Sequence, residues 1–124
     1  MSLHPELLEQ INRDFCARLR NPARLTQDAL ILELDNGVDL TVRYAADDAY
    51  SLRWRFAIDA AELELGIDTA PLHPTLATRP NHLHLADGRV VADPLTRPDR
   101  PPAHNVAAVL EAILASPTLT DRLA

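Results

Sequence analysis

The chain has 124 residues, 47% of them apolar, and carries 18 acidic against 12 basic side chains for a net charge of −6. That is enough sequence for one domain with one core, and no apolar run approaches the roughly 18 residues that span a bilayer, so no membrane association is expected. Every basic residue is arginine, which excludes chemistry that needs a lysine amine, and the acidic balance argues against broad nucleic-acid binding through a basic surface.

The N-terminus lacks the pattern of a basic segment, an apolar stretch and a small-residue cleavage site. The single cysteine, Cys16, has no internal partner for a disulfide. Together these lead us to expect a cytoplasmic protein.

Residues 3–20 carry Leu7, Ile11, Phe15 and Leu19 at helical spacing, with Leu8 beside them, which predicts an amphipathic helix. Ser2 is a plausible N-cap, Cys16 falls beside the apolar flank, and Asn21-Pro22 marks the expected end, since a residue before proline avoids the helical region.

Four strands with period-two alternation follow. Leu30, Leu32 and Leu34 share one face of the first, and Val38, Leu40, Val42 and Tyr44 one face of the second. Tyr50, Leu52, Trp54, Phe56 and Ile58 share a face of the third, and Ala61, Leu63, Leu65 and Ile67 of the fourth. One apolar face per strand predicts an antiparallel sheet covered on one side. Asp35-Asn36-Gly37 suits a three-residue hairpin loop that opposes Leu34 to Val38 and Leu32 to Leu40. A longer polar loop is expected at 45–49, and the third and fourth strands meet around Asp59-Ala60. Their outer faces carry Arg53 and Arg55 against Glu62 and Glu64, read either as paired charges on a solvated face or as an arginine pair for a phosphate or an acidic partner.

Residues 81–85 and 89–92 form a second hairpin. Asp87-Gly88 reads as a two-residue turn, which opposes His84 to Val91 and His82 to Asp93 and turns those three polar side chains to one face, away from Leu83, Leu85 and Val90. Residues 93–102 form a proline-rich connector. Asn105 is a candidate N-cap for a last helix whose apolar stripe is Val106, Val109, Leu110, Ile113 and Leu114, ending at Ser116-Pro117. The expected fold is α+β: a curved antiparallel sheet of about six strands in a single domain of residues 1–124, with an N-terminal and a C-terminal helix packed on one face.

The chemistry-bearing segment is 68–84, which holds three of the five histidines, His73, His82 and His84, on a backbone stiffened by Pro71, Pro74 and Pro80. Three readings fit it. Two histidines at i and i+2 on a strand with Asp93 form an acceptable ligand set for zinc or another divalent metal. A histidine oriented by a carboxylate moves protons in phosphodiester cleavage, with Arg79 or Arg89 meeting the phosphate. The third reading is structural, with histidines on the outer face of a strand and His-Pro shaping a turn. No glycine-rich phosphate loop and no nucleophile elbow occurs, and no cofactor is expected. Trp54 reads as core. His4 and His104 lie near helix starts and carry no assigned role.

The order of Asp68, Ala70, Pro71, His73, Pro74, Thr78, Pro80, His82 and His84 resembles the TumE family of bacterial toxin–antitoxin toxins, whose members have a stretch like Arg-Tyr-Asp-Asn-Ala-Pro-His-His-Pro followed by Pro-His-His-x-His. The upstream Asp-Asn-Gly turn and the strand with Tyr50 and Trp54 are similar too. The departures are Gly66 and Ile67 for the Arg-Tyr, Thr69 for the Asn, and Leu72 and Asn81 for the first histidine of each pair. The resemblance implies a toxin with ribonuclease activity and a helix-turn-helix antitoxin as partner. His82 and His84 are then the acid–base pair, Asp93 the orienting carboxylate, His73 a further catalytic candidate, and Arg79, Arg89 and Asp68 the substrate contacts, with RNA as substrate and a homodimer as one assembly. The alternative is a non-catalytic interaction domain whose histidine hairpin or sheet edge binds a protein partner, and a metal-binding variant of either reading stays open, with His82, His84 and Asp93 as its ligands.

Overall fold

The computed structural model describes residues 4–27, 29–69 and 81–119. Within them the chain forms α1 (His4–Phe15), β1 (Arg24–Leu25), β2 (Leu30–Glu33), β3 (Asp39–Ala46), β4 (Ala49–Ile58), β5 (Ala61–Asp68), β6 (His82–His84), β7 (Val90–Ala92) and α2 (Pro102–Ala115). The strands lie in sequence order in one sheet, each antiparallel to its neighbours. This is the expected α+β architecture, with one strand more than predicted: β1, two residues long, lacks the alternation by which strands are recognised.

Alternation sorts the residues as expected. Leu32, Leu40, Leu52, Trp54, Ile67 and Leu83 are fully buried and form one core with Leu7 and Ile11 of α1 and Val106, Val109, Leu110 and Ile113 of α2. Burying side chains of this size stabilises by about 1.5–3 kcal/mol each before chain entropy is set against it. Trp54 is core, and its indole Nε1 donates to the Pro117 carbonyl at 2.9 Å, fixing the chain just after α2. Ile58, grouped with the apolar face in sequence, is exposed, because the β4–β5 hairpin reaches beyond the core there.

The β2–β3 hairpin forms as predicted. The Leu34 amide donates to the Val38 carbonyl at 2.8 Å, and Gly37 takes φ +89°, a conformation natural to glycine. The β3–β4 connection is shorter than the expected loop, because β3 runs on to Ala46 through a bulge and pairs with Ala49, leaving Asp47-Asp48 as the turn. Asp59 and Ala60, both at positive φ (50° and 65°), close the β4–β5 hairpin.

Three local readings are corrected. α1 stops at Phe15 rather than continuing to Arg20, and a 3₁₀ turn over Cys16–Arg18 follows. The β2–β3 hairpin captures this stretch: Arg20 N donates to the Glu33 carbonyl at 2.8 Å, Asp35 N donates to the Arg18 carbonyl at 2.8 Å, and Leu19 bridges to Leu34. Cys16 is exposed rather than packed, a consequence of the same turn. α2 begins at Pro102, so Asn105 lies inside it as a fully buried residue. There its amide clamps the proline-rich connector, accepting from Arg97 N at 3.0 Å and donating to the Arg97 carbonyl at 2.9 Å. Ser2 lies outside the described residues. His4 is not idle: its Nε2 accepts a hydrogen bond from the Tyr44 amide at 3.0 Å, tying α1 to the sheet.

Candidate functional site

The histidine hairpin departs from its expected register by one residue. His82 pairs with Ala92, Leu83 with Val91 and His84 with Val90. The loop is Ala86-Asp87-Gly88, built as the Asp35-Asn36-Gly37 loop is: Leu85 N donates to the Arg89 carbonyl at 2.8 Å, Gly88 N to the Leu85 carbonyl at 3.0 Å, and Gly88 takes φ +92°. A two-residue turn on Asp87-Gly88 needs positive φ at both positions, and Asp87 does not have it. Its carboxylate instead accepts from the Arg89 amide at 3.0 Å, which favours the longer loop.

Because side chains alternate, one residue of slip moves a side chain to the other face. Asp93 therefore does not join the histidines. It is buried on the core side, where its carboxylate accepts from Asn81 Nδ2 at 3.0 Å, Leu95 N at 2.7 Å, Thr96 N at 3.2 Å and the Thr96 hydroxyl. The Tyr50 hydroxyl lies 2.7 Å from the Thr96 hydroxyl, and Asn81 also donates to the Thr96 carbonyl at 2.7 Å. This network anchors the connector to the sheet. Asn81, at a position where the resemblance has histidine, belongs to this scaffold.

The carboxylate that meets the histidines is Asp68. It ends β5 directly opposite His82 on β6, while Gly66 stands opposite His84. His82 Nε2 lies 2.8 Å from Asp68 Oδ1 and His84 Nε2 lies 3.1 Å from Asp68 Oδ2, so two imidazoles converge on one carboxylate, with the ring centroids 4.9 Å apart. Exposure is graded across the three: 1% for the His82 side chain, 17% for Asp68 and 33% for His84. His84 is the most exposed of the three, although the Nε2 atoms of both rings are buried.

Arg53 completes the face. It stands on β4 opposite Gly66, and a side chain at 66 would meet it, since a Cβ there would lie 3.1 Å from Arg53 Cγ. The absence of a side chain at Gly66 lets Arg53 lie across β5, with Nη1 3.3 Å from Glu64 and Nη2 3.9 Å from Asp68. Where the resemblance places an arginine, this chain has glycine and brings a guanidinium from the neighbouring strand. Arg53 was grouped in sequence with the surface charges rather than the histidines. The usable signal was the β4–β5 register, which follows from a turn at Asp59-Ala60.

Arg89 pairs with Asp87 in its own loop, Nε to Oδ2 2.7 Å, and not with the histidines. His73 and Arg79 lie outside the described residues. Arg55 is paired with Glu62 at 3.7 Å and Glu64 at 3.9 Å, as expected for opposed charges on a solvated face. Among the described residues, the group of histidine, cysteine and acidic side chains able to hold a metal is Asp68, His82 and His84, which replaces the set with Asp93. Within the described residues no helix is long and apolar enough to cross a membrane.

No curated protein and no solved structure matches the chain. A family model described as toxin TumE matches residues 8–118, a span that takes in the sheet, the histidine-bearing strand β6 and α2. The chain belongs to the TumE toxin family.

Proposed function

We propose that this toxin cleaves RNA at the face formed by Asp68, His82, His84 and Arg53. The family gives it the toxin's place in a toxin–antitoxin pair, with an antitoxin as partner. We infer that the partner is a small helix-turn-helix protein and that the pair acts in the bacterial cytoplasm.

The observation that carries the reading is the convergence of two imidazoles on one carboxylate with graded exposure. His84, the more accessible ring, takes the proton of a ribose 2′-hydroxyl. The freed oxygen attacks the adjacent phosphorus, the bond to the 5′-oxygen breaks, and that oxygen leaves with a proton from water, giving a 2′,3′-cyclic phosphate. Asp68 orients His84 and stabilises the imidazolium that forms. His82 is buried behind the carboxylate and holds it from the other side, as a positioning residue. Arg53 offsets the phosphate's charge, and such a contact is strongest where water is partly excluded. Asp68 thus takes the orienting role first read for Asp93.

The test is induction in a bacterial host with growth and RNA integrity followed together. The wild type arrests growth and degrades RNA, and His84→Ala, checked for folding by circular dichroism, does neither. A wild-type protein that is expressed, folded and without effect on either readout overturns the reading.

A further inference from the structure

We propose that Asp68, His82 and His84 form a binding site for one divalent transition-metal ion, with zinc the best fit. One ligand atom from each of the three residues lies within 4.8 Å of the others. Two come from i and i+2 of β6 and the third from the residue of β5 paired with His82, so neighbouring hydrogen-bonded strands set their spacing. In a tetrahedral zinc site with bonds of 2.0–2.1 Å, ligand atoms stand about 3.3 Å apart. His82 Nε2 and His84 Nε2 stand 2.8 and 3.1 Å from the two different oxygens of Asp68, a little under that spacing, and all three ligand atoms lie within 4.8 Å of one another, so admitting the ion requires a rearrangement of these three side chains alone.

The donor set selects the metal. Two imidazoles and one carboxylate suit zinc, whereas calcium and magnesium prefer all-oxygen shells and thiophilic ions need sulfur. The Arg53 guanidinium stands nearer to Glu64, at 3.3 Å, than to Asp68, at 3.9 Å. His82 is buried and His84 partly exposed, while the Nε2 atoms of both lie inside. Three protein ligands leave the fourth position of a tetrahedral zinc for water. An ion on the two Nε2 atoms takes the place of their contacts with Asp68 and leaves each ring's proton on Nδ1, so ion binding and the acid–base reading exclude each other at any one moment. The binding inference does not rest on the cleavage reading, and its failure leaves that reading untouched.

The experiment is calorimetric titration of zinc chloride into chelator-stripped full-length protein carrying Cys16→Ser, which removes the exposed thiol as a competing ligand. We expect one ion per chain, and cobalt(II) in its place should give the visible absorption of a tetrahedral site. His84→Ala should weaken zinc by more than about 100-fold, beyond the cost of losing an outer-shell partner; the ring is partly exposed, so this variant should still fold. His82→Gln should remove the cobalt spectrum. Absence of stoichiometric zinc binding, or binding unchanged in both variants, overturns the proposal.

Discussion

Asp68 and His82 face each other directly across β5 and β6, with His82 Nε2 2.8 Å from Asp68 Oδ1 and the imidazole buried. Removing one partner of a buried polar contact costs about 1–3 kcal/mol. Asp68→Ala should therefore lower the unfolding free energy by about 2 kcal/mol, read from urea denaturation, and should abolish RNA loss. Asp68→Asn should keep more of the stability while losing the activity, because it preserves shape and removes charge.

Asp93 should behave in the opposite way. Its carboxylate serves four donors from Asn81, Leu95 and Thr96 beneath the sheet. Each buried donor left unmet costs about 1–3 kcal/mol, so Asp93→Ala should lose about 3–4 kcal/mol by urea denaturation. Growth arrest per folded molecule should persist at a temperature where the variant remains folded. Activity lost with full stability retained would place Asp93 back in the site.

Ala60 holds φ 65° at the second position of the β4–β5 turn. An L-residue in this region carries strain of roughly 1–2 kcal/mol that glycine lacks, partly offset by glycine's greater freedom in the unfolded chain. Ala60→Gly also creates the Asp-Gly pair that such turns favour. It should stabilise by about 0.5–1 kcal/mol, visible as a higher urea midpoint with an unchanged slope.

Tyr44 and Tyr50 stack across β3 and β4, with centroids 5.0 Å apart, and they are the chain's two tyrosines. Burial pushes the Tyr50 phenol up to about 12, against a smaller lowering by its bond to Thr96. Burial raises Tyr44 further. Because the folded values exceed the unfolded one, this contribution to stability is fully present below about pH 10, the unfolded tyrosine value, and is lost as pH rises through the folded values. Tyrosinate absorbance of the folded protein should stay low past pH 10, while the denatured chain titrates near there. Ionisation of either phenol near pH 10 without unfolding would contradict the packing.

The two glycine-ended hairpins mark where sequence reading succeeds and where it stops. Asp35-Asn36-Gly37 and Ala86-Asp87-Gly88 form the same three-residue loop, yet Asp87-Gly88 also matches the signal for a two-residue turn. What separates the alternatives is the backbone angle at Asp87, and that follows from a carboxylate–amide bond formed in the folded loop. The error was one residue, but with a period of two it carried Asp93 to the wrong face. The early end of α1 escaped prediction for a similar reason: the hydrogen bonds that draw Arg18–Arg20 onto the hairpin come from residues 13 to 19 positions away.

The sequence by itself determined the α+β class, which side of each long strand is buried, and the motif that places the chain in its family, because period-two alternation and local residue order are properties of neighbours along the chain. Only the tertiary structure decided that Asp68 rather than Asp93 meets His82 and His84, and that Arg53 fills the space above Gly66. Those contacts depend on the pairing of β5 with β4 and β6. Alternation narrows such a pairing to one face, while the hydrogen bonds and side-chain packing of the assembled sheet select its register.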